Sequence, residues 1–174
     1  MRKFITAAGL CLLPLTTLAT TAHAWWDGGH MVVAQIAHTR LEPKVRARVD
    51  ALVGQGAQPR NNTFVTAACW PDDLKDYNVH AYDTWHYTNL PLVLTGGKPP
   101  KVQPNIDILW AMNQCVNAIK KRKPNPKYPN REILATPDIE KARALRFLIH
   151  LVGDVHQPLH STTLYSAAHP HGDL

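Results

Sequence analysis

The chain has 174 residues, 45% of them apolar, with a formal charge of +6, three Cys and ten His, enough to bury one core and build one domain. Its 18% charged residues and nine Gly against fourteen Pro exclude a disordered chain, a coiled coil and a collagen-like or Gly-rich protein. Three Cys exclude a disulfide-stapled mini-protein and a four-cysteine zinc module, while ten His point to metal or proton chemistry.

Met1 to Ala24 reads as a secretory signal, with Arg2 and Lys3 as the basic start, Phe4 to Leu18 as the apolar run and Ala22-His23-Ala24 as an A-x-A cleavage site. Thr6, Pro14, Thr16 and Thr17 interrupt the run, which falls short of the ~20 residues that cross a bilayer. The mature protein is therefore expected to be soluble, secreted or periplasmic, without stable membrane association. It starts at Trp25 and keeps 150 residues, nine His, Cys69 and Cys115. An oxidising compartment permits one disulfide between those thiols, and spacing alone leaves the pairing open.

From Trp25 onward the periodic segments are helical. His30 to Leu41 places His30, Val33, Ala34, Ala37 and Leu41 on one face, and a second helix starts at Pro43 and stops at Gly54. Gln55 to Asn62 reads as a polar loop, Thr63 to Trp70 as a short buried helix interrupted near Pro71, and Tyr77 to Pro104 as mostly irregular. Asn105 is the expected cap of a helix whose stripe is Ile106, Leu109, Trp110, Val116 and Ile119. A basic stretch follows, Lys120-Lys121-Arg122-Lys123 with Lys127 and Arg131; it could attract a polyanion, but its Pro and Asn content favours a solvated loop. Thr136-Pro137 opens the clearest helix, with Ile139, Ala142, Leu145, Leu148, Ile149 and Val152 at helical spacing, and Pro158 ends or kinks it. No sustained period-2 alternation occurs. The expected fold is all-α: a single mainly helical domain with long loops.

On that last helix His150 and Asp154 are four apart, so both side chains leave one face. Their neighbours Phe147, Leu148, Ile149, Leu151 and Val152 are apolar, and an imidazole and a carboxylate in such surroundings need a strong partner. Asp72, in Cys69-Trp70-Pro71-Asp72, and His86, in Trp85-His86-Tyr87, complete two His and two Asp, the N/O set suited to zinc with positions left for water or substrate. His160 lies beyond Pro158. At the new terminus, Trp25-Trp26-Asp27-Gly28-Gly29-His30, the free amine and carbonyl of Trp25 can chelate a metal, and the glycines give the backbone freedom to bring in His30. In the precursor that nitrogen is an amide with no lone pair to donate, which would couple signal removal to metal assembly.

The W-x4-H of Trp25 and His30, the W-x-D of Trp70 and Asp72, the W-H-Y of Trp85 to Tyr87 and the F-L-x-H-x3-D-x2-Q-P-L-H from Phe147 to His160 together resemble the secreted S1/P1 nucleases. These are mainly helical zinc enzymes of the phospholipase C/P1 nuclease type that hydrolyse single-stranded DNA, RNA and 3′-nucleotides. The resemblance implies three zinc ions. Asp72, His86, His150 and Asp154 would hold one; the Trp25 amine and carbonyl, His30 and the bridging Asp154 a second; and a third would start from His160. It implies that Asp72 orients or deprotonates the attacking water, that Tyr87 stacks on the base, and that Asn89, where the family usually has Asp, bonds the base edge. Lys75, one turn beyond Asp72, could reach a phosphate oxygen. The family's remaining ligands to the third zinc, a later His-x3-Asp, have no counterpart before Leu174, so the third site is expected to be incomplete and the sequence C-terminally truncated, with activity reduced or absent. A monomer is expected. The competing readings are a zinc phospholipase C, against which the close spacing of Trp25 and His30 speaks, and an inactive periplasmic zinc-binding fragment.

Overall fold

The computed structural model describes residues 25–94, 99, 106–120 and 137–173. The signal segment, the caps expected at Asn105 and Thr136, and the basic stretch beyond Lys120 lie outside them. Among the described residues five α-helices run in chain order: α1 (Asp27–Thr39), α2 (Pro43–Val53), α3 (Trp70–Asp76), α4 (Ile108–Ile119) and α5 (Pro137–Val155). The architecture is mainly helical, as the periodicity implies. No helix among the described residues is long and apolar enough to cross a membrane.

Helix α5 is the hub, because its apolar residues cover more than one face. Leu145 and Ile149 pack with Ala34 of α1, Val53 of α2 and Phe64, Ala67 and Ala68 of the connecting segment. Ala144, Phe147 and Leu151 pack with Trp85 and with Ile108, Ala111 and Cys115 of α4. At about 25 cal/mol per Å² of apolar surface removed from water, these two clusters supply the main drive to fold. Between them α5 carries a buried polar stripe that includes His150 and Asp154. Buried Arg146, on the same helix, donates to the carbonyls of Val53 and Gln55 at the end of α2.

The structure corrects several sequence expectations. Helix α1 begins at Asp27, before His30, with Trp26 at its N-cap. Pro71 does not interrupt a helix; it sits in the first turn of α3, after a 3-10 turn at Thr66–Cys69, where a missing N–H costs nothing. The cap of α4 is Asp107, whose carboxylate accepts from the Trp110 N–H at 3.0 Å. Helix α5 ends at Val155, and Pro158 opens a separate 3-10 turn, Pro158–His160.

A small parallel sheet stands where the sequence implies irregular chain: β1 (Leu90–Val93) pairs with β2 (Thr162–Tyr165), Leu90 opposite Thr162 and Val93 opposite Tyr165. Cys69 and Cys115 are both free and buried, so the open pairing resolves against a disulfide. Burial pushes each thiol up to about 12, which leaves both unreactive.

Candidate metal centre

The centre is built on the polar stripe of α5. His150 is fully buried, and its Nδ1 lies 2.6 Å from the Ala68 carbonyl, which can only accept a hydrogen bond. Nδ1 therefore carries a proton, which leaves Nε2 as the ring nitrogen that can offer a lone pair to a metal. That Nε2 is 2.9 Å from Asp154 Oδ2 and 2.9 Å from Nδ1 of His86. His86, at the end of the 3-10 turn Asp83–His86, brings its Nδ1 to 3.0 Å from the same carboxylate oxygen.

Helix α1 adds His30, whose ring stacks on that of His150 at 3.9 Å between centroids. Its Nε2 stands 3.4 Å from Asp154 Oδ1 and 3.8 Å from Asp72 Oδ2. The approach requires Gly153, since a Cβ there would meet His30 Nδ1 at 2.6 Å. Helix α3 supplies Asp72, whose Oδ1 lies 3.7 Å from His86 Nδ1 and 4.0 Å from His150 Nε2. Each carboxylate thus divides its oxygens: one faces His86 and His150, the other faces His30. Trp25 folds back over the first turn of α1, close enough that a Cβ on Gly29 would lie 2.7 Å from its own Cβ.

The remaining candidates ring this cluster. Pairing of the two chain segments carries His160 to it: the Thr88 N–H donates to the His160 carbonyl at 2.8 Å, and His160 Nδ1 donates to the His86 carbonyl at 2.9 Å. His160 Nδ1 is also 4.0 Å from Asp154 Oδ1. Beyond His86 the chain is extended, so exposed Tyr87 and Asn89 alternate with buried His86 and Thr88 and project to the same side. Lys75 Nζ lies 2.8 Å from Asp72 Oδ1, and both groups are partly exposed, so Asp72 forms the open side of the cluster.

The charges follow from this packing. Burial first, then neighbouring His150, pushes His30 down to about 4. Burial also lowers His86, against the contact with Asp154 that raises it. For Asp154 burial acts upward, but the contacts with His150 and His86 outweigh it and hold the carboxyl below its usual value. Asp72 behaves alike: burial acts upward, and His150, Lys75 and His86 overcome it.

Neutral imidazoles and ionised carboxylates are the protonation states that bind metal. His30, Asp72 and His150 form one set, and His86, His150 and Asp154 another, whose ligand atoms all lie within 4.8 Å of one another. The donors of a tetrahedral zinc stand about 3.3 Å apart, close to the spacings around Asp154. Nε2 of His150 and Nδ1 of His86 stand 2.9 Å apart and both face Asp154 Oδ2, two nitrogens and a carboxylate oxygen gathered as a zinc ion would need them. The donor set fits zinc.

Two contributors escaped the sequence reading. A glycine inside a helix costs ~1 kcal/mol against alanine, so Gly153 beside Asp154 was a readable sign of close approach. The Ala68 carbonyl that orients His150 left no trace, because every residue carries one.

Comparison with known proteins gives a match to the family model described as S1/P1 Nuclease over residues 25–173. Among curated proteins the chain is 26% identical to Endonuclease 3 of Arabidopsis thaliana, over 86% of this chain and 48% of that protein. It is 24% identical to Nuclease S1 of Aspergillus oryzae, over 88% of this chain and 51% of that one. Endonuclease 2 of Arabidopsis thaliana is 27% identical over 82% and 47%. The chain spans about half the length of these relatives. No solved structure gave a significant match.

Proposed function

The chain belongs to the S1/P1 nuclease family, and we propose that it is a zinc-dependent phosphodiesterase that cleaves single-stranded DNA and RNA to 5′-nucleotides and removes phosphate from 3′-nucleotides. In this reading it is exported, secreted or periplasmic, and processed to Trp25. The observation that carries it is the division of Asp154 between two imidazole groups: Oδ2 faces His86 and His150, and Oδ1 faces His30. A carboxylate so placed suits two adjacent cations. His86, His150, Asp154 and Asp72 would hold one zinc, and His30, Asp154 and the amine and carbonyl of Trp25 a second. His160 would begin a third site. Bound there, zinc supplies Lewis acidity and a nucleophilic water at neutral pH.

The residues then divide the work. Asp72, ionised and on the open side, accepts the proton of the attacking water. Attack at phosphorus breaks the bond to the 3′ oxygen, which leaves with a proton as a hydroxyl, and the phosphate stays on the 5′ side. Lys75 holds a phosphoryl oxygen and keeps Asp72 ionised. Tyr87 stacks on the base, worth ~1–3 kcal/mol whatever its identity, and the Asn89 amide offers both donors and an acceptor to the base edge.

Elemental analysis of protein beginning at Trp25 is expected to find at least two zinc ions, and chelation to abolish cleavage of single-stranded DNA until zinc is returned. A metal-free folded protein, or cleavage indifferent to chelator, overturns the reading. Zinc without turnover of single strands or 3′-AMP leaves a zinc-binding protein instead. One extra residue ahead of Trp25 removes the terminal amine, so unchanged zinc stoichiometry in that variant refutes the terminal chelate.

A further inference from the structure

Helices α1 and α3 present His30 and Asp72 from their first turns, and both begin without a side-chain cap: Trp26 and Cys69, at the two N-caps, make no capping hydrogen bond. Next to Asp72, Asp73 turns away from the cluster and is buried. Its Oδ2 accepts from Nδ2 of buried Asn61 at 3.0 Å, and its Oδ1 lies 3.0 Å from Nη2 of Arg60. The same guanidinium nitrogen donates to Asp27 Oδ2 at 2.9 Å, in the first turn of α1. The Asp27 carbonyl in turn accepts from the Cys69 thiol at 3.8 Å. Arg60 and Asn61 belong to a 3-10 turn, Pro59–Asn61, in the segment that composition alone marks as a polar loop.

We propose that Arg60, Asn61 and Asp73 form a clamp of positioning residues that holds the first turns of α1 and α3 in register, so that Asp27 places the Trp25–His30 terminus against the Asp72 carboxylate. The inference rests on the family reading for the metal but concerns residues that touch neither metal nor substrate. Arg60 is the hinge of the clamp because one nitrogen reaches carboxylates on both helices. Its side chain is 60% exposed, so its pair with exposed Asp27 contributes little to folding, and buried Asp73 keeps Asn61 as a donor when Arg60 is lost. The fold should therefore be spared while the site loosens.

The protein is expressed from its complete gene, and Arg60→Met, Arg60→Lys and Asp73→Asn are compared with it by thermal melting, by competition for zinc with a chelating dye, and by kinetics on single-stranded DNA. Supporting residues of metal ligands typically cost 10- to 100-fold in metal affinity when lost. The expected result for Arg60→Met is zinc at the His30 side bound about tenfold more weakly, kcat lowered to a similar degree, KM little changed and melting close to wild type. Arg60→Lys recovers part of the affinity, and Asp73→Asn repeats the loss. Unchanged zinc affinity and kcat in both Arg60→Met and Asp73→Asn overturn the clamp, as does a loss of melting temperature with zinc affinity intact. Wild-type protein that binds no zinc overturns the metal reading and the clamp together, which separates the two failures.

Discussion

Asp154 and Asp72 hold different posts although both are carboxylates of one cluster. Asp154 is buried, with both oxygens turned to imidazoles, whereas Asp72 is 36% exposed beside Lys75. In the proposed reading Asp154 would therefore bridge two zinc ions, while Asp72 would bind one of them and also serve as the base that solvent can reach. Replacing Asp72 with Asn keeps the shape but removes the proton acceptor together with the charge of a zinc ligand, so zinc content is measured beside the kinetics. A loss of about 10²- to 10⁴-fold in kcat is expected, the range for general bases, with the far-UV circular dichroism unchanged; activity within tenfold of wild type would relieve Asp72 of that role. Gly153 tests the geometry from the other side. Its Cβ in Gly153→Ala would stand 2.6 Å from His30 Nδ1, so His30 must move or the helices must part, an overpacking that costs about 1–3 kcal/mol. Urea titration should show a lower midpoint, and zinc at the His30 side should be the first lost on dialysis.

At the scale of elements, the segment from His86 to β1, which in the proposed reading carries the substrate side, is tied to the start of α4. Thr88 Oγ1 donates to Asp107 Oδ2 at 3.0 Å, while Asp107 Oδ1 caps α4, so one carboxylate fixes a helix start and the segment beside it. Asp107→Ala should cost about 1 kcal/mol, typical for a lost cap, and raise KM more than a distant change of equal stability. Tyr87→Ala should raise KM for single-stranded DNA by about 5- to 150-fold, the equivalent of 1–3 kcal/mol of stacking, with kcat nearly kept. Much of this scale is legible in sequence. The helical repeat of Leu145, Leu148 and Ile149 announces α5, Pro43 and Gly54 bracket α2, and the motifs name Asp72, His86, His150 and Asp154, which the structure brings within a few ångströms. The strands β1 and β2 are not legible: Leu90-Pro91-Leu92-Val93 has no polar alternation, and its pairing partner is set by the return of the chain after Pro158. Nor is Asn61 legible, since a polar residue in a polar stretch shows burial only when Asp73 is seen above it.

In the proposed reading the whole molecule couples its stability to proton and metal through the same buried groups. Without metal, His30 takes a proton in the folded protein near pH 4 and in the unfolded chain near 6.5; His86 is lowered as well. Between those values the unfolded chain binds more protons, so stability falls as pH falls from about 6.5 to 4. Asp154, held below its usual value, contributes stability above about pH 3.9 that is lost in stronger acid. Both effects run in one direction, and urea midpoints of the chelated protein should decline steadily from pH 7 to pH 4; a flat profile would mean that His30 is not buried in the folded state. Zinc should add stability at neutral pH. At a free concentration 100-fold above its Kd, a ligand that binds only the folded form adds about 2.7 kcal/mol, or roughly 5–10 °C in melting temperature for a chain of this size. Because protons compete for the same ring nitrogens, that increment should shrink as the pH approaches 5. Melting curves with and without zinc at pH 7.5 and pH 5 therefore read metal site and fold together. An increment equal at both pH values would place the zinc on groups other than these histidines.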